Sequence, residues 1–272
     1  MSIKSGAVLN EGASIVYDIE GEGPLLLLVV GGNGDSKLFA RLSAHLADRY
    51  TVVKYDRRAN ARSAGDTEGE LDMAQAGRDA AAVIAAVNLG PAYVFGNSAG
   101  ANIALKLTED HPKLVRGLID HEPPITDFLA QPDAGKWRAF FDKVYDVYQA
   151  EGAGAAMKLF ASSFVGFDQN APAPGDQVGG NHNRFLAHEF QHINSFVPSL
   201  DALRRGGTPI VTVVGRDSGN AFYAQTAREL ARQLPCPCVD IVGNHLGYAF
   251  HAEEFANELH RIIESLPARK NH

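Results

Sequence analysis

The chain has 272 residues, 45% of them hydrophobic and 21% charged, which is enough apolar material to bury one large α/β core and too much for a disordered or fibrous protein. A net charge of −7 argues against a nucleic-acid partner, whose binding face needs excess Lys and Arg to displace counterions. The longest apolar run, Leu25 to Val30, falls far short of a membrane span, and the first twenty residues lack a basic-then-apolar leader pattern. Cys236 and Cys238 stand too close for a framework disulfide, so a cytoplasmic enzyme with no membrane contact is expected.

Ala13 to Ile19 alternates as an edge strand does, and Gly21 to Pro24 turns the chain. Leu25 to Val30 is apolar at every position, as a central parallel strand covered by helices on both faces must be. Leu38, Phe39, Leu42 and Leu46 then recur at helical spacing, and Thr51 to Tyr55 reads as a second buried strand. Asp72 and Gln75 are placed as a capping box for a long helix that Gly90-Pro91 stops. Ala92 to Phe95 is a strand, Ala99 to Glu109 a helix, and Val115 to Asp120 another strand after His111-Pro112. From Pro123 to about Gly207 the strand pattern stops. Helical stretches lie around Trp137 to Tyr148, Ala155 to Phe164 and Arg184 to Phe196, with a loop rich in Ala, Pro and Gly from Asn170 to Gly180. A strand at Pro209 to Val214, a helix carrying Ala227, Leu230, Ala231 and Leu234, a strand at Cys238 to Val242 and a last helix with Phe255, Leu259, Ile263 and Leu266 complete the chain. The reading is an α/β domain with a mostly parallel sheet, made of residues 1–124 and 208–272, with a helical cap insertion at 125–207.

Chemistry concentrates at the ends of these strands. After Ala92 to Phe95 stands Gly96-Asn97-Ser98-Ala99-Gly100, and a helix begins at once. A G-x-S-x-G in this strand–turn–helix setting holds its serine on a strained turn, clear of the sheet. The helix N-terminus supplies the Ala99 N–H to a developing oxyanion. A nucleophilic serine needs a base, and His245 follows the last strand in Gly243-Asn244-His245-Leu246-Gly247-Tyr248. Two carboxylates qualify as the orienting acid: Asp217 after the strand Pro209 to Val214, and Glu122 after Val115 to Asp120. Gly31-Gly32-Asn33-Gly34, after the first central strand, can bring a second oxyanion donor to the serine from Gly32 or Asn33. Trp137, Phe141 and Tyr248 are candidate substrate-binding aromatics under or near the insertion, pointing to an apolar or aromatic substrate.

These residues in this order resemble the α/β-hydrolase superfamily over nearly the whole chain. Closer in, His121-Glu122-Pro123-Pro124, Tyr55-Asp56-Arg57-Arg58 and the closing segment around His245 resemble a bacterial branch related to the fungal zearalenone lactonases. The resemblance implies an α/β-hydrolase fold, Glu122 as the triad acid with Asp217 as the alternative, and oxyanion donors at Gly32 and Ala99. It implies a serine hydrolase that cleaves a carboxylic ester or lactone through an acyl-enzyme without cofactor or metal, with a C–C bond hydrolase of the same fold as the alternative. Two departures stand out. Ala59 and Ala61 occupy positions usual for glycine, and the cap tryptophan of the lactonases is replaced near Glu189. The composition leaves a homodimer open.

Two other motifs compete. His188-Glu189-Phe190-Gln191-His192 fits H-E-x-x-H, the zinc hydrolase helix, although no third histidine follows at short spacing. Gly32-Asn33-Gly34 followed by Asp56 sketches a dinucleotide site, but Lys37 stands where a third glycine is needed and Asp35 would repel a pyrophosphate.

Overall fold

A computed structural model describes residues 3–32, 34–167 and 181–267. Eight strands form one sheet in the order β1-β2-β4-β3-β5-β6-β7-β8: β1 (Lys4–Asn10), β2 (Ala13–Glu20), β3 (Leu25–Val29), β4 (Thr51–Tyr55), β5 (Ala92–Asn97), β6 (Val115–His121), β7 (Ile210–Gly215) and β8 (Cys238–Ile241). From β4 to β8 every pairing is parallel, while β1 and β2 run antiparallel at one edge. β2 is therefore not the edge: β1, whose side chains are largely exposed, covers it in a register from Lys4 opposite Ile19 to Asn10 opposite Ala13.

The unbroken apolar run of β3 follows from its central place. Leu25, Leu27 and Val29 pack on one face with Ala80, Val83 and Ile84 of Met73–Val87 and Ile103 and Leu107 of Ala99–Asp110. Leu26, Leu28 and Val30 pack on the other with Leu42 and Leu46 of Ala40–Leu46 and Phe255, Leu259 and Ile263 of Ala252–Ser265. Each of the Leu, Val, Ile and Phe side chains among them contributes roughly 2 kcal/mol of transfer free energy. Asp72 caps its helix as the sequence predicts, accepting from Ala74 N at 2.8 Å, but Gln75 reaches out to Glu11 instead of closing the box.

Between β6 and β7 the described residues contain no strand. Asp133–Glu151, Ala153–Ala161 and residues 182–194 form the helical cap over the carboxyl ends of the strands, with a π turn at Phe185–Glu189. The predicted loop from Asn170 to Gly180 lies outside the described residues. Leu200–Gly206 returns to the sheet, and its Leu203 joins the same core as Leu107.

The chain order places the site. From β3 the chain steps to β4 on one side and to β5 on the other, so the loops leaving β3 and β5 diverge and open a crevice between them. Open α/β sheets bind ligands at such a switch point. Gly31–Gly34 and Ser98 leave from those two strands.

Candidate active site

Ser98 joins β5 to the helix Ala99–Asp110 with φ +58° and ψ −127°, a conformation that costs a non-glycine residue roughly 1–3 kcal/mol and persists only where the surroundings impose it. They do so here. Ser98 N–H donates to His121 O at 3.0 Å, and Ala101 N–H donates to Ser98 O at 2.9 Å. The flanking glycines are required by contact. A Cβ on Gly100 would lie 2.0 Å from Val29 O, and one on Gly96 would lie 2.6 Å from Gly100 O. Gly31 presses on the same turn from β3, with room for a Cβ only 2.8 Å from Ser98 Cβ and 3.2 Å from Ala99 N.

His245 and Glu122 meet behind this turn. Glu122 Oε2 accepts from His245 Nδ1 at 2.7 Å, and Oε1 accepts from Gly215 N–H at 2.9 Å. Burial pushes the Glu122 carboxyl up, but the imidazoles of His121 and His245 and the Ser218 hydroxyl outweigh it and hold the group below the usual carboxylate range. Glu122 also has positive φ, +53°, which turns its side chain across the end of β7. Asp217, the other candidate acid, is exposed on the turn after β7; its backbone N–H donates to Gly243 O. Of the two, Glu122 is bonded to His245.

Asn97 and His121, which sequence reasoning passed over, brace this arrangement. The Asn97 amide donates to His121 Nδ1 at 3.0 Å and to His245 O at 3.2 Å. Burial pushes the His121 imidazole down to about 4, so it is neutral at pH 7. Accepting at Nδ1 leaves its proton on Nε2, 3.8 Å from Glu122 Oε2.

Ser98, Ala99, Gly32 and His245 line one cavity, together with Phe160, Phe164, Phe185, Phe190, Phe222 and Tyr223. Tyr248 lines it too, seated on Phe39 at 4.8 Å between ring centroids. Trp137 and Phe141 stand one layer back, packed on Phe222 at 4.4 and 5.3 Å. They support the wall and do not form it. Asn33 lies outside the described residues. The π turn explains the aromatic wall, because the extra residue in its i→i+5 step lets Phe185 and Phe190 both enter the cavity.

The same turn resolves H-E-x-x-H. His188 and His192 share a face as their spacing predicts, but it is the outer one, where both reach Glu70 at 3.3 and 3.0 Å. Glu189 points inward and is buried, bonded to Arg57 at 2.6 Å and to Asn60 at 2.8 Å. The motif's own carboxylate is thus turned away from the face the two histidines share. Among the described residues no group of three His, Cys, Asp or Glu side chains could hold a metal ion. Asp56, the dinucleotide candidate, is fully engaged by Ser36 and Arg62. No described helix is long and apolar enough to cross a membrane.

This sheet order, a serine turn between β5 and its helix, and a helical cap over the strand ends define the α/β-hydrolase class. The family model described as alpha/beta hydrolase fold matches residues 24–252, and the chain belongs to this family. It is similar to YraK, an uncharacterized hydrolase of Bacillus subtilis (strain 168), at 34% identity over 270 residues covering 97% of each chain. It is 27% identical to a putative carbamate hydrolase, RutD, of Caulobacter vibrioides (strain NA1000 / CB15N), over 70% of this chain and 66% of that one. Among solved structures it superposes on a thermophilic esterase from Thermogutta terrifontis with TM-score 0.76 at 19% identity, covering 96% and 98% of the two chains. The enol-lactonase from Burkholderia xenovorans LB400 gives 0.72 at 17% identity, over 96% and 100%.

Proposed function

We propose that this chain is a serine hydrolase that cleaves a carboxylic ester or lactone of an uncharged, apolar or aromatic small molecule through an acyl-enzyme. One observation carries the reading: the buried Glu122 holds His245 by Nδ1 at 2.7 Å, leaving Nε2 as that ring's free nitrogen, and His245 lines the same cavity as Ser98.

In this reading His245 Nε2 takes the Ser98 proton as Oγ attacks the carbonyl carbon, and the carbonyl oxygen becomes an oxyanion facing the N–H groups of Ala99 and Gly32. Each such donor is worth roughly 3–4 kcal/mol of transition-state stabilisation in comparable sites. Glu122 holds the imidazole's tautomer and stabilises the imidazolium without taking its proton. His245 then protonates the leaving alkoxide, the acyl–Ser98 ester remains, and a water activated by His245 releases the acid.

The substrate class comes from the wall. Among the described residues lining the cavity none but His245 is a titratable acid or base of the Lys, Arg, His, Asp or Glu type, and a charged substrate buried against them would stay unpaired at a cost of several kcal/mol. The position of Glu122 after β6, where the lactonase resemblance puts the acid, supports lactones among the substrates. Glu189 stands near where those enzymes carry the cap tryptophan and is turned to Arg57, so zearalenone itself is not the substrate proposed. A panel of aryl esters and macrolactones assayed with wild type and Ser98→Ala tests the reading. Release of acid by wild type and none by the variant is expected, and equal turnover by the two would overturn it.

A further inference from the structure

We infer that Arg57 is a positioning residue that ties the seating of the cap to the shape of the oxyanion loop. The inference rests on the serine-hydrolase reading above. Gly31 and Gly34 are held by close neighbours, Ser98 and Asn60 respectively, whereas Gly32 is open. Gly32 sits at φ +45° with nothing within 4 Å of where a Cβ would be, and the turn's own backbone bond runs from Gly34 N to Gly31 O at 3.1 Å. A glycine as free as Gly32 holds one orientation of its peptide groups when they are pinned from outside.

Arg57 supplies two pins. Its backbone N–H donates to Gly34 O at 2.9 Å, and its Nη2 donates to Gly32 O at 2.6 Å. The same Nη2 donates its other hydrogen to Glu189 Oε2, also at 2.6 Å. Glu189 belongs to the cap's π turn, 132 residues away in sequence. It is itself fixed by Asn60 Nδ2 at 2.8 Å, and Arg184 Nε lies 3.4 Å from its other oxygen. Both members of the pair are buried, at 3% and 1% exposure. Lifting the cap would take the carboxylate away from Arg57 and admit water to the guanidinium. The guanidinium would then shift toward other acceptors or water and release Gly32 O. The oxyanion loop is therefore in register with Ser98 when the cap is seated, and the glycine loop transmits cap position to the step in which negative charge develops.

The test separates positioning from structural support. Removing one partner leaves a buried charge alone, so Arg57→Gln and Glu189→Gln are both expected to lower the melting temperature. The decisive protein is the double variant Arg57→Met, Glu189→Leu, because an apolar pair in place of a buried ion pair commonly retains or raises stability. It is expected to melt near wild type, yet to show kcat lowered about 100-fold, the scale of one lost oxyanion donor, with KM within threefold. Affinity for a phenylboronic acid, which mimics the tetrahedral intermediate, is expected to fall by a similar factor. A double variant that melts like wild type and regains kcat and boronate affinity to within threefold would overturn the inference, since the pair would then serve only the fold. A wild type that neither binds the boronate nor is labelled at Ser98 by a fluorophosphonate would remove the hydrolase reading and the coupling with it. That outcome is distinguished by the behaviour of the unmodified protein.

Discussion

Glu122 Oε2 and His245 Nδ1 lie 2.7 Å apart across 123 residues of chain, and the carboxylate reaches that point from the end of β6, one strand nearer the serine strand than β7. Its positive φ and the Gly215 N–H bond set the direction of the side chain. Removing it leaves His245 free to rotate and to adopt the wrong tautomer. Glu122→Gln is expected to lower kcat by about 10⁴-fold, as the corresponding loss does in serine proteases. Asp217→Asn should stay within twofold of wild type. Steady-state kinetics on one aryl ester decides between the two acids, and a large loss in Asp217→Asn would reverse the assignment.

His121 predicts an acid-side instability. Its imidazole is held down at about 4 in the fold, from an ordinary value of 6.5. Between those values the unfolded chain binds a proton that the folded protein does not, so stability is complete above about pH 6.5 and falls as pH drops toward 4. The shift corresponds to about 3 kcal/mol. Glu122, held below its ordinary range, adds a second loss at lower pH, beginning near the unfolded carboxylate value and running through the folded one. Thermal melts from pH 7.5 to 4.5 should therefore show a declining midpoint, with a shallower decline in His121→Asn. Equal slopes in the two proteins would contradict the assignment.

The loop after β4 carries strain that the sequence advertises. Ala59 and Ala61 sit at φ +57° and +46°, where an L side chain costs roughly 1–2 kcal/mol relative to glycine. Ala61 is exposed, so its replacement disturbs no packing. After the extra unfolded-state entropy of glycine, Ala61→Gly should raise stability by about 0.5–1 kcal/mol. The melting point should rise by roughly 1–4 °C, measured by calorimetry.

The described residues of the cavity wall, which include no Lys, Arg, Asp or Glu, predict charge selection. An aryl butyrate or benzoate should be cleaved with kcat/KM at least 100-fold above the matching aryl hemisuccinate, whose free carboxylate would enter an aromatic wall without a cationic partner. Comparable values for the neutral and anionic esters would show that the acyl group does not enter this cavity.

Much of the frame was legible in the residues because periodicity reports burial. The all-apolar Leu25 to Val30, the capped helix after Asp72 and the glycine-flanked Ser98 each appear where expected. β1 was not legible, since Lys4–Asn10 is exposed and mixes Lys, Ser, Gly and Asn into a pattern without alternation; pairing with β2 makes it a strand. The choice between Glu122 and Asp217 was open because both follow adjacent strands, and only backbone dihedrals decide which carboxylate turns inward. The cavity wall escaped for a different reason. A π turn shifts helical register, so Phe185 and Phe190 enter the site while Trp137 and Phe141, more conspicuous in sequence, support it from behind. Arg57 and Glu189 could have been paired only by knowing that the cap folds back over the β3 loop.

The central claim is that Ser98 is a nucleophile activated by His245. Intact-protein and peptide mass spectrometry after brief exposure to a fluorophosphonate tests it most directly. One phosphonyl adduct on the peptide containing Ser98 in wild type, with none in Ser98→Ala and strongly slowed labelling in His245→Ala, is the predicted result. An unlabelled wild type, or an adduct that persists in Ser98→Ala, would contradict it.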